Sequence, residues 1–387
     1  MTISRCIFQC GNLLTKGNLT EEHVILNAIG GRRTVQGFIC ESCNNETGTK
    51  WDAELARQLQ PLSLLLGIKR QRGRVKYREF PTSSGGKIRL DSDGKMTTAI
   101  PSHEKTTDRN TSQIRITAGS RKELKEQIKG MQRKHPALRK RSVGALLSTA
   151  QARSHYSSDL MQIPIEFGGD KTGRSLVKSA VALVHNAGVD PGVCDLALDY
   201  LMQDNAQPCF GYFYDKDKDL VLNRPVKNPF HCVYVKGDSG AGTILGYVEF
   251  FSLHRMILCL SRSFSGRDFT HSYAIDPIKG EELSIDIDLN LSIPDIRSAL
   301  DCEKWDFGVW KCAIDSLLGC IGDIDFTRAR SRAIGVAVER AFENCDAEQG
   351  EDLTEEQLYQ LTAEITEELR PFILHNFARF INAPKIG

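Results

Sequence analysis

LTEEHVILNAIGGRRTVQGFICESCNNETGTKWDAEL, Leu19 to Leu55, is the stretch that decides the reading. It sets Glu22 beside His23, pairs Gly30 with Gly31, and brings Cys40 and Cys43 together as CxxC with Asn44 and Asn45 straight after. Cys6 and Cys10 stand upstream as CxxxC. Two such knuckles place four thiolates for a tetrahedral ion with metal–sulfur distances of roughly 2.3 Å. A closed set of four thiolates leaves no open coordination position, so a Zn2+ held there orders the fold and does no chemistry. A unit of about sixty residues has little core of its own, and metal binding supplies much of its folding energy.

The reaction therefore falls to other groups. Adjacent residues of a strand point to opposite faces. A divalent ion bound by Glu22 and by an amide oxygen of the following helix would sit next to His23. The His23 imidazole then serves as general base near neutral pH, while the metal stabilises charge on a phosphate and its leaving oxygen. Trp51, Leu55 and Leu59 recur every four residues and give the helix after the second knuckle one apolar stripe. Each feature has a plainer reading as well. Asn44 would cap that helix, Asp52 would be a surface acid, Gly30 and Gly31 a turn, and Arg32 and Arg33 solvated arginines instead of phosphate contacts.

Taken together over residues 5–60, the pattern C-x3-C, EHxI, GG, C-x-x-C-N, G and D resembles the HNH endonucleases of the cysteine-ligated branch. The resemblance implies a ββα-metal fold around one catalytic Mg2+ or Mn2+. It makes His23 the general base and Glu22 and Asn44 ligands of that ion, with Asn45 and Asp52 as second choices on one helix side. Val35 stands where the family has an asparagine that orients the base, with Thr34 and Gln36 beside it.

Composition sets the frame for the rest. The chain has 387 residues, 41% apolar and 26% charged, at formal charge +1. No apolar run approaches the roughly 20 residues of a membrane span, and the N-terminus lacks a signal-peptide pattern. Twelve cysteines in so long a chain fit a reducing compartment with one metal site. The expectation is a soluble cytoplasmic protein. The near-zero charge hides a division: residues 1–160 carry 28 Lys+Arg against 14 Asp+Glu, and residues 161–387 carry 22 against 35. A basic first part joined to an acidic second part points to a polyanion met by the first alone.

The sequence predicts an α+β protein in three parts. Residues 1–60 form the zinc-stabilised nuclease domain. Residues 61–160 form a basic linker region in which RGRVKYREF reads as a strand with one basic face and ELKEQIKGMQRK as a helix stopped before Pro136. Lys69, Arg70, Arg72, Arg74 and Lys76, with Arg32 and Arg33, are the candidate nucleic-acid contacts. Residues 161–387 form an acidic α+β domain. SLVKSAVALVHNAG is its first helix, amphipathic and ended by Gly188. CFGYFY, DLVLN, HCVYVKG, TILGYVEFF and MILCLS are its strands, and its last hundred residues are mostly helical. His231, Cys232, His254, Cys259 and His271 sit in apolar strand-like stretches, where buried His and Cys are common. DNA is the expected partner, with RNA as the second candidate. The C-terminal part is open to a homodimer, a ligand or a protein partner. The competing reading is a zinc-knuckle nucleic-acid-binding protein whose nuclease site has decayed, predicting tight binding without cutting.

Overall fold

The computed structural model describes residues 5–73, 77–108, 111–151, 159–347, 350 and 352–382. In chain order, β1 (Glu22–His23) and β2 (Thr34–Val35) lead to helices α1 (Glu41–Thr47) and α2 (Ala53–Leu66), joined by a π turn over Gly48–Asp52. Strands β3 (Arg78–Pro81), β4 (Lys87–Leu90), β5 (Met96–Thr98), β6 (Ser102–Asp108) and β7 (Thr111–Thr117) follow, then α3 (Arg121–Lys134) and α4 (Val143–Ser148). Next come α5 (Asp170–Asn186), α6 (Asp195–Met202) and strands β8 (Phe210–Tyr212), β9 (His231–Asp238), β10 (Thr243–Phe250), β11 (His254–Ser261), β12 (Phe269–Asp276) and β13 (Glu281–Glu282). The chain ends in α7 (Ile293–Leu300), α8 (Phe307–Glu343) and α9 (Glu355–Asn382).

The α+β class, the N-terminal ββα element and the helical end agree with the sequence reading. Contacts divide the chain differently from its composition. Met1–Lys76 and Pro164–Gly322 make one compact unit, and Tyr77–Ile163 and Asp323–Gly387 make the other.

The first unit is built on a six-stranded antiparallel sheet of order β13-β12-β9-β10-β11-β8. Alternation along the strands sends two sets of side chains to opposite faces. Cys232, Leu245, Tyr247, Ile257, Cys259 and Ala274 pack on one face with Phe213, Phe230, Ile285, Ile296 and Ala299 from the flanking loops and α7. Val233, Val235, Ile244, Val248, Met256 and Leu258 fill the other face, along which α5 runs. Gly246 lies on this face: a Cβ there would be in ordinary contact with Ala180 Cβ at 3.7 Å and tight against Leu258 Cβ at 3.3 Å. With both faces covered, every residue of β10 is buried, and TILGYVEFF is apolar nearly throughout, with Glu249 its one charge, paired to Arg224 and Arg255. The strand over β12 carries no such run and escaped the sequence reading.

Helix α5 was expected to be amphipathic. In the structure every residue from Thr172 to Val184 is buried, because α1, the π turn and α2 cover the side that the sheet leaves open. The N-terminal ββα element docks on the sheet as well. His231 accepts from the Phe251 N–H through Nδ1, so its Nε2–H donates to the Ile29 carbonyl at 2.9 Å. Tyr273 Oη accepts from the backbone N–H groups of Arg32 and Arg33.

The second unit holds the three-stranded sheet β3-β4-β5, the hairpin β6-β7, α3 and α4, with the later part of α8 and α9. Helix α3 begins at a Ser120 cap whose side chain accepts from Glu123 N–H, and it stops before Pro136 as the sequence predicts. The hairpin β6-β7 lies in mostly polar sequence, with Ile114 and Ile116 its only apolar residues. Glu368 on α9 bonds Arg340 on α8 at 2.6 Å, and Phe326 packs on Phe372.

Candidate active site

The GG turn sets the two short strands. Gly30 has φ +98°, a backbone state that L side chains rarely adopt. A Cβ on Gly31 would fall 1.7 Å from the Ile25 carbonyl oxygen. The turn returns the chain so that His23 pairs with Thr34 and Glu22 with Val35. Cross-strand partners share a face. His23, Thr34 and, by alternation, Glu21 and Gln36 therefore lie on one side of this ribbon, and Glu22 and Val35 on the other. Burial follows that division: Glu22 and Val35 are buried, Glu21 and Gln36 are exposed, and His23 and Thr34 are half-buried.

Cys6, Cys10, Cys40 and Cys43 come together with their Sγ atoms within 4.8 Å of one another. Cys10 Sγ lies 3.7 Å from Cys40 Sγ. A tetrahedron with metal–sulfur distances of roughly 2.3 Å has edges of about 3.8 Å, so the four thiols fit a zinc ion. Cys40 is the N-cap of α1. Burial pushes its thiol up, but the Cys43 backbone N–H, the Asn12 amide and the neighbouring thiols outweigh that and bring it down to about 6. This thiol readily becomes the thiolate that a metal requires. Among the described residues no other group of three or more His, Cys, Asp or Glu is placed to hold an ion.

The open face of the ribbon carries His23. Burial lowers its pKa below the ordinary value, against a hydrogen bond with Gln71, and so favours the neutral imidazole. Gln71 and Arg72 reach the histidine because Asn27 holds both: its Oδ1 accepts from Gln71 N–H and its Nδ2 donates to the Arg72 carbonyl. Arg72 also bonds Glu21 at 3.4 Å. Beside these groups an open depression of about 440 Å³ is lined by Glu21, Thr34, Val35, Gln36, His185 and Asn186. His185, at the end of α5, bonds the Gln36 carbonyl at 3.0 Å. Gln71 and His185 were not found from the sequence. They lie far along the chain from His23, and no spacing signal links them to it.

The hidden face carries Glu22. Its carboxylate lies 2.8 Å from Lys178 Nζ, and Asp52 lies 2.5 Å from the same nitrogen. Thr47 Oγ1 accepts a third bond at 3.3 Å, and Ser175 Oγ donates to the second Asp52 oxygen at 2.6 Å. The Lys178 side chain has 0% exposure. Burial pulls its pKa down, but Asp52 and Glu22 more than offset this and hold the ammonium charged. Burial pushes Glu22 up against the pull of Lys178. Glu22 and Asp52 thus converge, yet on a lysine of α5 that the sequence presented only as part of an amphipathic helix.

The helical spacing behind this pair is informative. Asn44 and Asp52 are eight residues apart, which in a regular helix leaves them about 80° out of line. The π turn over Gly48–Asp52 takes up one extra residue and brings both onto the side that faces the ribbon. Asn44 Nδ2 lies within hydrogen-bonding distance of Thr20 Oγ1 and the Glu21 carbonyl. Asn45, which a regular helix would align with Asp52, is exposed.

The basic candidates divide in the same way. Arg33 is bonded to Glu282 at 2.6 Å and lies over the Tyr273 ring, while Arg32 is exposed. Lys69 and Arg72 are exposed; Arg70 is half-buried with its Nε unpartnered. Arg74 and Lys76 lie outside the described residues. Of the other suspected groups, His231 is a core histidine bonded at both nitrogens. His254 stacks on Phe167 with ring centroids 3.9 Å apart, and His271 bonds Asn186.

Comparison with protein families places this geometry. Residues 6–60 match the family described as HNH endonuclease. The matched segment contains both knuckles, the His23 ribbon and the helix from Glu41 through the π turn to the start of α2. No curated protein and no solved structure matches the chain. No described helix is long and apolar enough to cross a membrane.

Proposed function

We propose that the protein is an endonuclease that hydrolyses phosphodiester bonds, with DNA as substrate, and that His23 is the general base. The observation that carries this reading is a neutral imidazole on the open face of an HNH ribbon. A base that takes a proton from water must be unprotonated at working pH and within reach of solvent, and His23 meets both conditions. Gln71, held by Asn27, fixes the ring in the role for which Val35 is unsuited. Arg72 stands beside it as a cation for the phosphate backbone, and the exposed Lys69 and the exposed lysines and arginines of α3 add a sequence-independent attraction for a polyanion. Sequence choice has no evident reader in the chain, so cutting is expected to be weakly specific or directed by a partner. Phage defence, restriction and mobile-element biology all suit such an enzyme.

The catalytic Mg2+ or Mn2+ fits less well at the residues first assigned to it. Glu22 and Asp52 already share the Lys178 ammonium, and the Asn44 amide hydrogens are turned to Thr20 and Glu21. An ion serving phosphodiester hydrolysis would have to be held on the His23 side. The engaged carboxylates also favour a second reading, a nucleic-acid-binding protein without catalysis.

Supercoiled plasmid incubated with zinc-loaded protein, with and without Mg2+ or Mn2+, tests both. Nicking or linearisation that His23→Ala abolishes supports the nuclease. Salt-sensitive binding with no cutting by wild type, under either ion, supports the second reading and rejects the first.

A further inference from the structure

The hidden face of the ribbon has the composition of a cation site and already holds a cation. Two carboxylates and a hydroxyl surround Lys178 Nζ at 2.8, 2.5 and 3.3 Å. An ammonium group has three hydrogens to give, and here it has three acceptors. Its α5 neighbours Ser175, Ser179 and Val181 are themselves buried. Glu22 is 6% exposed. A divalent ion entering between these carboxylates would have to expel a buried charge that has no alternative acceptors in view.

From this we infer that Lys178 is the resident cation of the Glu22–Asp52 site, and that Glu22 is its partner and not a ligand of a divalent ion. The inference rests on the nuclease reading for its importance but not for its test. It makes Lys178 a positioning residue. The ammonium ties β1, through Glu22, to the helix that carries Thr47 and Asp52, and so fixes the neighbouring residue, His23, on the open face. It also makes Pro164–Gly322 part of the site, since the cation comes from α5. Four more hydrogen bonds join the same two segments: His231 to Ile29, Tyr273 to the backbone of Arg32 and of Arg33, and Ser175 to Asp52.

The test is Mn2+ binding by the full-length, zinc-loaded chain without nucleic acid, read from the electron paramagnetic resonance signal of free Mn2+. Wild type, Glu22→Gln, Lys178→Met and Lys178→Met/Glu22→Gln are compared. Glu22→Gln is expected to leave wild-type Mn2+ binding within twofold. Lys178→Met frees the carboxylates and is expected to gain at least tenfold in Mn2+ affinity, a gain that the added Glu22→Gln removes. Loss of wild-type Mn2+ binding by tenfold or more in Glu22→Gln overturns the inference, because Glu22 would then be a metal ligand and Lys178 would yield to the ion. A folded Lys178→Met chain with no gain overturns it too. Where Lys178→Met does not fold, the comparison of wild type with Glu22→Gln decides. Cleavage activity enters none of these readouts, so a chain that cuts nothing can support the inference, and an active nuclease can refute it.

Discussion

Removing the Lys178 charge should cost far more than removing any other lysine in the described chain. Breaking a buried ion pair at one partner costs about 3–5 kcal/mol, because an uncompensated charge stays behind. Lys178→Met leaves two such groups, Glu22 and Asp52, which both approach the same point within 2.8 Å. For a unit of about 150–250 residues, each kcal/mol moves the melting temperature by about 2–4 °C. The expected fall at pH 7 is therefore roughly 6–20 °C. The assay is thermal unfolding by circular dichroism in zinc-replete buffer without other divalent ions. Adding Glu22→Gln and Asp52→Asn to Lys178→Met should return at least half of the loss, since neutral amides need no counter-ion and a packed apolar or neutral replacement of a buried ion pair is often well tolerated. A loss below about 1 kcal/mol, the worth of an exposed pair, would refute the reasoning. So would a triple variant no more stable than the single one.

Other outcomes follow from the same geometry. Burial holds the His23 pKa below its ordinary value, and a base works only when neutral, so the acid limb of kcat/KM should lie below pH 6.5 with a plateau through pH 7–8; a limb at or above pH 7 would argue against His23. His254 is held at about 3, by burial first and then by nearby His231, against an unfolded value near 6.5. The folded state then binds fewer protons than the unfolded one, so stability present above pH 6.5 drains away as pH falls toward 3. At pH 5 the loss is about 2 kcal/mol, and His254→Phe, which can keep the stack on Phe167, should narrow the difference in melting temperature between pH 7 and pH 5. Cys10→Ser should lower bound zinc from one ion per chain, measured by elemental analysis, and destabilise the ribbon; full zinc content in that variant would exclude Cys10 as a ligand.

The sequence made part of this legible and hid the rest for identifiable reasons. The knuckles, the EH pair, the GG turn and the asparagines after Cys43 were readable because short-range geometry fixes them. Gly31 must lack a Cβ to pass the Ile25 carbonyl, and Cys40 must end a turn to cap α1. Helices α3 and α5 were readable from their stops at Pro136 and Gly188. The hairpin β6-β7 and strand β12 were not, since neither alternates clearly. Lys178 was the costliest omission. In SLVKSAVALVHNAG it looks like part of the polar side of an amphipathic helix, and only three-dimensional packing tells that its end is buried between two acids. The π turn was hidden in the same way. Counting residues along a regular helix pairs Asp52 with Asn45, whereas the extra residue in the turn pairs it with Asn44.

The division of charge along the sequence deserves a different weight once these contacts are known. Read alone, the acidic character of residues 161–387 separates them from a nucleic-acid-binding first part. Yet the helix that opens this acidic part carries Lys178 into the heart of the HNH motif, and its sheet receives the GG turn through His231 and Tyr273. Acid from this part meets the first sixty residues too, since Glu282 bonds Arg33 and Glu166 bonds Arg57. A segment ending near residue 60 would keep the zinc thiols but leave Glu22 and Asp52 without a cation, the Ile29 carbonyl without His231, and Leu55 and Leu59 without cover. Metal binding can replace a missing core in so small a unit, but it cannot replace a counter-ion on the far side of the ribbon. The HNH motif in this chain is accordingly one face of a larger folded unit.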